Sequence, residues 1–215
     1  MTFRMFGFPI TIEMSFIGVI AFLGFISFEN DFALIAAFVV IAVISVLIHE
    51  FGHAFAAKSQ GTQVGPTISL EGMAGFTRYR LNEQPSRAQS IFISFAGPLA
   101  GIILGFLIFA LRESGVVELT AFNATLFRIG FFTTFVWSAF NLMPIVPLDG
   151  GHIMTDLLPG STVERARKAS MVSIVVAVIV GIGLFLQWRL LFAPIILGGM
   201  AFQNLQILRQ TSSAS

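Results

Sequence analysis

Residues 48–53 read Ile-His-Glu-Phe-Gly-His and close a long apolar run. On a helix, positions four apart stand one above the other, so His49 and His53 can point imidazole nitrogens at one metal ion. Glu50 projects about 100° round from His49, near enough to reach a water on that ion without being a ligand itself. The 215 residues hold only three histidines, and two of them are here. The plain alternative is a pair of histidines satisfied by hydrogen bonds inside a packed helix. Where the motif sits decides between the two.

Hydrophobic residues make up 56% of the chain and charged residues 11%, with 25 Phe and a mean hydropathy of +0.89. Soluble domains carry roughly 25% charged residues, so this is a polytopic α-helical membrane protein. The length fits one integral membrane domain, residues 1–210, followed by a disordered tail, 211–215. A net charge of +1 gives no reason to expect nucleic acid as a partner. There is no Cys, so a zinc site would have to use His and carboxylate ligands. Arg4 precedes an apolar stretch, but no small-x-small cleavage site comes before Glu29-Asn30-Asp31, and a retained first span is expected.

About six transmembrane helices and a small membrane-associated β-sheet should position the motif. Residues 2–12, aromatic and β-branched but interrupted by Gly7 and Pro9, favour an extended strand at the membrane surface. The first span runs from Met14 to Phe28 and the second from Phe32 to about Lys58. At 1.5 Å per residue, His49 and His53 lie roughly 26 and 32 Å from Phe32, near the far edge of a ~30 Å hydrocarbon core. Ionisable groups at that depth are costly and mark function, which weighs against the plain alternative. Residues 64–70 and 74–80 read as two strands joined by Glu71-Gly72-Met73. The third span, about Ser90 to Leu111, carries Gly97, Gly101 and Gly105 every four residues, a smooth packing face, and Pro98 predicts a local kink.

Residues 112–124 form a polar loop before the fourth span, roughly Thr125 to Met143. That span ends in Asn141-Leu142-Met143-Pro144-Ile145-Val146-Pro147-Leu148-Asp149-Gly150-Gly151-His152, too rich in Pro and Gly for a regular helix. Irregular backbone at membrane depth is tolerated only when buried in protein or lining a wet cavity. Asp149 opens a short helix ending near Pro159, and Ser161-Thr162-Val163-Glu164 is a capping box. The fifth and sixth spans follow at about Ala169–Leu186 and Leu190–Leu208. Six spans place both termini on one side. Nine Lys and Arg share that side, against Arg112, Arg128 and Arg189 on the other, so the termini, the hairpin and the motif face the cytosol.

A catalytic zinc takes three protein ligands and keeps its fourth position for water, so two histidines need a partner from elsewhere. Of three Asp, Asp149 is the one set in an irregular break between spans. An Asp beside two Gly is more often a turn or helix cap, yet an incomplete metal site at similar depth reverses that preference. His152 is the competing ligand, though a second donor behind the ligands or a solvated residue at the helix start suits it better. Glu71 could also approach, although an ordinary hairpin turn is the simpler reading.

With these motifs in view, the chain resembles the site-2 protease family of intramembrane zinc metalloproteases. The resemblance rests on His49-Glu50-Phe51-Gly52-His53 and on Asn141-x-x-Pro144-x-x-Pro147-Leu148-Asp149-Gly150-Gly151. It extends to the glycine-bearing strands and to Phe95-Ala96-Gly97-Pro98, and it covers most of residues 1–160. It implies that His49, His53 and Asp149 bind one Zn2+, that Glu50 is the catalytic acid/base, and that Asn141 contacts the substrate backbone or helps polarise its carbonyl. Gly101 stands where many members have a polar residue, and His152 where a basic residue is common. Many members add a PDZ or CBS domain, for which this chain has no room, so gating would come from its own loops, a regulatory membrane partner or a homo-oligomer.

The implied substrate is a transmembrane protein, released in regulated intramembrane proteolysis: an anti-sigma factor or a membrane-tethered transcription factor. Its span must unwind, because helical carbonyls are occupied, and the sheet formed by residues 2–12 and 64–80 offers an edge to hold it. Gly72 and Gly75 in that edge would let the substrate backbone approach. The implied location is a bacterial or archaeal cell membrane. A membrane metal-binding or transport protein is the rival reading, although it would not need a general base beside the first histidine.

Overall fold

The computed structural model describes residues 1–29, 31–72, 74–189 and 192–212. It is mostly helical, with one four-stranded sheet. The chain divides into two compact units, Met1–Pro85 with Ala96–Phe140, and Ser86–Phe95 with Asn141–Ser215.

In the first unit the chain begins as a hairpin, β1 (Thr2–Met5) and β2 (Phe8–Ile12), so the expected single strand is folded on itself at Phe6-Gly7. Both turn residues have positive φ, 52° and 86°. Helix α1 (Met14–Ser27) follows, then α2 (Phe32–Ser59), capped by Asp31, whose Oδ1 accepts from the N–H groups of Ala33 and Leu34 at 3.0 and 3.1 Å. β3 (Thr62–Glu71) and β4 (Ala74–Leu81) complete a sheet of order β1-β2-β3-β4. Only the β2–β3 pair is parallel, because α1 and α2 form the crossover between those strands. Phe8, Ile10 and Ile12 alternate onto one face with Ile68 and Leu70, and pack on Phe16, Leu47, Phe51 and Ala54. The sheet is thereby fixed against the last turns of α2.

Helix α3 (Arg87–Glu113) continues through Pro98. Thr120 caps α4 (Ala121–Phe131), which runs on through one π-helical turn, Phe132–Val136, into α5 (Trp137–Asn141). The fourth apolar stretch thus starts four residues earlier than its hydropathy suggests, since a polar N-terminal turn reads as loop.

The second unit holds α6 (Asp149–Leu157), α7 (Thr162–Trp188) and α8 (Phe192–Ser212). The expected capping box is present: Ser161 Oγ accepts from Glu164 N at 3.3 Å and Glu164 Oε2 from Ser161 N at 2.8 Å. Helix α7 therefore begins in its polar segment and enters the apolar one unbroken. Thr211 and Ser212, expected in the tail, close α8; residues 213–215 lie outside the described residues. So do Met73 of the hairpin turn and Leu190, the expected start of the sixth span. Among the described residues, α2, α3 and α7 are long and apolar enough to cross a membrane, and α1 is a shorter apolar helix.

Candidate metal centre

His49, Glu50 and His53 are all buried, at 6%, 4% and 7% exposure, although they are ionisable and sit in an apolar helix. One ligand atom from each lies within 4.8 Å of the other two. The Nε2 atoms of His49 and His53 are 3.2 Å apart, with the rings edge-to-face. Two imidazoles and a carboxylate brought this close together form a donor set that suits a cation.

Each residue of the motif faces a different neighbour, as 100° per residue requires. Phe51 packs its ring on Phe6 and Phe8 of the β1–β2 hairpin, centroids 5.3 and 6.2 Å away. Gly52 meets α3 with bare backbone: a Cβ there would stand 2.8 Å from Gly97 Cα and collide with the Ala96 carbonyl. Gly97 in turn leaves room for the His53 imidazole, because its own Cβ would fall 2.5 Å from Cε1 and 2.7 Å from Cδ2 of that ring. The small-residue face of α3, read from sequence as packing alone, is therefore a wall of the histidine site.

Glu50 turns toward β4. Thr77 Oγ1 donates to Glu50 Oε2 at 2.7 Å, with the Glu50 main-chain oxygen also within 3.1 Å. Two residues earlier on the same face, Gly75 makes space for the carboxylate, since a Cβ would come within 2.6 Å of Oε1 and 2.8 Å of Cγ. Thr77 was not singled out by sequence. The available signal was the strand period, which puts it on the face of Gly75, 27 residues after Glu50. Gly72 is different: nothing lies within 4 Å of its missing side chain, its φ is +59°, and its N–H donates to Ser15 Oγ at 3.1 Å. Glu71 pairs with Arg78 at 2.6 Å.

The remaining predicted residues belong to the second unit. Asn141 ends α5, Asp149 is the first residue of α6 and half-buried, and His152 is exposed. The loop between them folds back on α6. A Cβ on Gly150 would strike the Leu142 and Met143 carbonyls, and one on Gly151 would lie 2.5 Å from Ile145 C and Val146 N. The paired glycines after Asp149 are thus required by close backbone packing.

The model of peptidase family M50 matches residues 37–125 and 114–186. A zinc metalloprotease of Methanocaldococcus jannaschii is 25% identical over 158 residues, 73% of this chain but only 44% of that protein. YwhC of Bacillus subtilis, provisionally named a zinc metalloprotease, is 28% identical over 188 residues, spanning 72% of this chain and 85% of that one. The solved site-2 protease of M. jannaschii shares the fold, with a TM-score of 0.65 at 22% identity, covering 97% of this chain and 94% of that chain.

Proposed function

The chain belongs to peptidase family M50, and on that premise we propose that it is an intramembrane zinc metalloprotease. In this reading His49, His53 and Asp149 hold one Zn2+ and Glu50 is the catalytic acid/base. The observation that carries it is the buried approach of two Nε2 atoms to 3.2 Å beside a carboxylate anchored on an edge strand. Two nitrogens at 2.0–2.1 Å from a tetrahedral zinc lie ~3.3 Å apart, so the imidazoles fit the ion with little movement. Asp149 takes the third place on the sequence argument, and two imidazoles with one carboxylate are a catalytic zinc set that leaves a position for water.

When bound, zinc supplies a Lewis acid and lowers the pKa of a water towards ~7. Glu50 accepts a proton as water attacks the scissile carbonyl and delivers it to the departing amine, so its carboxylate is regenerated. Thr77 holds Oε2, which leaves Oε1, in the space above Gly75, to exchange the proton. Asn141 contacts the substrate backbone or its carbonyl oxygen, and His152 is a solvated residue or a donor behind the ligands.

β4 is an edge of the sheet and carries both Thr77 and Gly75. An unwound substrate segment that adds to this edge passes beside Glu50. The substrates in this reading are membrane-tethered regulatory proteins, an anti-sigma factor or transcription factor, cleaved in regulated intramembrane proteolysis. The chain makes six passages, with α1, the α4–α5 stretch and α8 added to α2, α3 and α7. Both termini and the site lie toward the cytosol of a bacterial or archaeal cell, by the distribution of Lys and Arg.

Glu50→Gln tests the assignment. Cleavage of a model transmembrane substrate in vesicles should be lost while zinc content stays at one per chain. Undiminished cleavage would remove Glu50 from the mechanism, and zinc uptake into vesicles that survives the substitution would favour a transporter.

A further inference from the structure

We propose that Ser173 on α7 and Asn204 on α8 are positioning residues that set Asp149 in place by gripping the loop before it. The proposal rests on the reading of Asp149 as the third metal ligand. Both backbone polar groups of Val146 are held by side chains of other helices. Its N–H donates to Ser173 Oγ at 2.9 Å, and its carbonyl accepts from Asn204 Nδ2 at 2.7 Å. Asn204 Nδ2 also donates to the Met200 carbonyl at 2.8 Å, which fixes the amide relative to its own helix.

Both side chains are at 0% exposure within apolar helices. A buried amide among apolar neighbours is costly unless its hydrogen bonds are made. Here that cost is only half offset, since Asn204 Oδ1 accepts no hydrogen bond. A Leu would fill similar space without an orphaned acceptor, so it is the donor side of the amide, aimed at Val146, that the structure uses.

Force applied at Val146 has a short path to Asp149. Gly151 rests directly on the backbone of Ile145 and Val146, and Gly150 on that of Leu142 and Met143. Within the loop, Leu148 N–H donates to the Ile145 carbonyl and Ile145 N–H to the Met143 carbonyl, each at 2.7 Å, and Ile145 is fully buried. Asp149 lies between this braced loop and the glycines packed on it. Its main chain has little freedom once Val146 is fixed. Groups that orient a ligand from behind typically change metal affinity 10–100-fold when removed.

Zinc affinity, read by chelator competition on the purified full-length chain in detergent, tests this alongside thermal unfolding of the metal-free protein. Ser173→Ala and Asn204→Leu should each weaken zinc binding about tenfold or more. Ser173→Thr, which keeps the hydroxyl, should retain the affinity. In an Asp149→Ala background the two substitutions should have no further effect on zinc. A merely structural role would lower metal-free stability and leave affinity unchanged, and that result overturns the proposal. So does equal weakening in the Asp149→Ala background, because the effect would then not pass through Asp149. Wild-type affinity in Asp149→Ala alone would instead sink the ligand assignment, and the clamp with it. Should Asn204→Leu fail to fold, Ser173→Ala removes a single oxygen and carries the test.

Discussion

The role proposed for Glu50 requires a long side chain to be held, and the holding is done by one hydroxyl and one missing methyl. Thr77→Val keeps shape and removes the donor to Oε2. A general base misplaced by about 1 Å can lose ~10²-fold in rate, so cleavage should fall 10–100-fold with zinc content unchanged, and Thr77→Ser should recover most of it. Equal rates in wild type and Thr77→Val would remove the hydroxyl from the mechanism. Two glycine substitutions separate the role proposed for Glu50 from that proposed for His53. Gly97→Ala drives a Cβ to 2.5 Å from Cε1 of the buried His53 ring, so the ring must shift and zinc itself should be lost. Gly75→Ala presses on Glu50 Oε1, Glu50 Cγ and Val46 Cγ1, and should lower turnover with zinc retained. Metal analysis and cleavage assays on the same samples distinguish them; a Gly97→Ala protein holding full zinc would contradict the wall assigned to α3.

The elements that carry the site owe their precision to close helix approach. Gly101 faces buried Ser138, whose hydroxyl occupies the space an alanine Cβ would need, and Gly105 faces Phe135, where an added Cβ would fall 2.6 Å from the Phe135 Cβ. Gly101→Ala should therefore destabilise by about 1–3 kcal/mol through overpacking, and a second change, Ser138→Ala, should restore much of that by removing the oxygen in the way. Unfolding in detergent of both single variants and the double variant measures it, and additive losses would show that the two residues do not meet. This contact explains what was legible in the sequence. The histidine pair, its helix, the two strands after it and the capping box follow from local periodicity and were expected to within a few residues, whereas residues 2–12, expected as one strand, form two. Which glycine touches what was not legible, because Gly97 with His53, Gly75 with Glu50 and Gly101 with Ser138 are 25 to 44 positions apart in the chain and no local pattern pairs them. Ser173 and Asn204 had a signal, polar side chains in apolar spans, but their partner is backbone and leaves no trace in side-chain type.

For the molecule as a whole, the question is whether the metal helps to hold the fold or only uses it. In a small zinc finger the ligands come from separate short elements, and metal binding is folding energy. Here two of the three proposed ligands, His49 and His53, sit one turn apart on a single 28-residue helix, already buried with their nitrogens 3.2 Å apart. The helix has its own cap at Asp31, and the sheet packs on it through a core of Phe, Ile, Leu and Ala that includes neither histidine. The long helices make their own backbone hydrogen bonds, as any span in lipid must. Removing zinc should therefore abolish cleavage and leave secondary structure intact. The test is far-UV circular dichroism of the detergent-solubilised protein before and after chelator, followed by return of Zn2+. Unchanged helicity, lost activity and full recovery on adding zinc are expected; loss of helix on stripping would mean that the ion holds the helices together, against the preformed pair seen on α2.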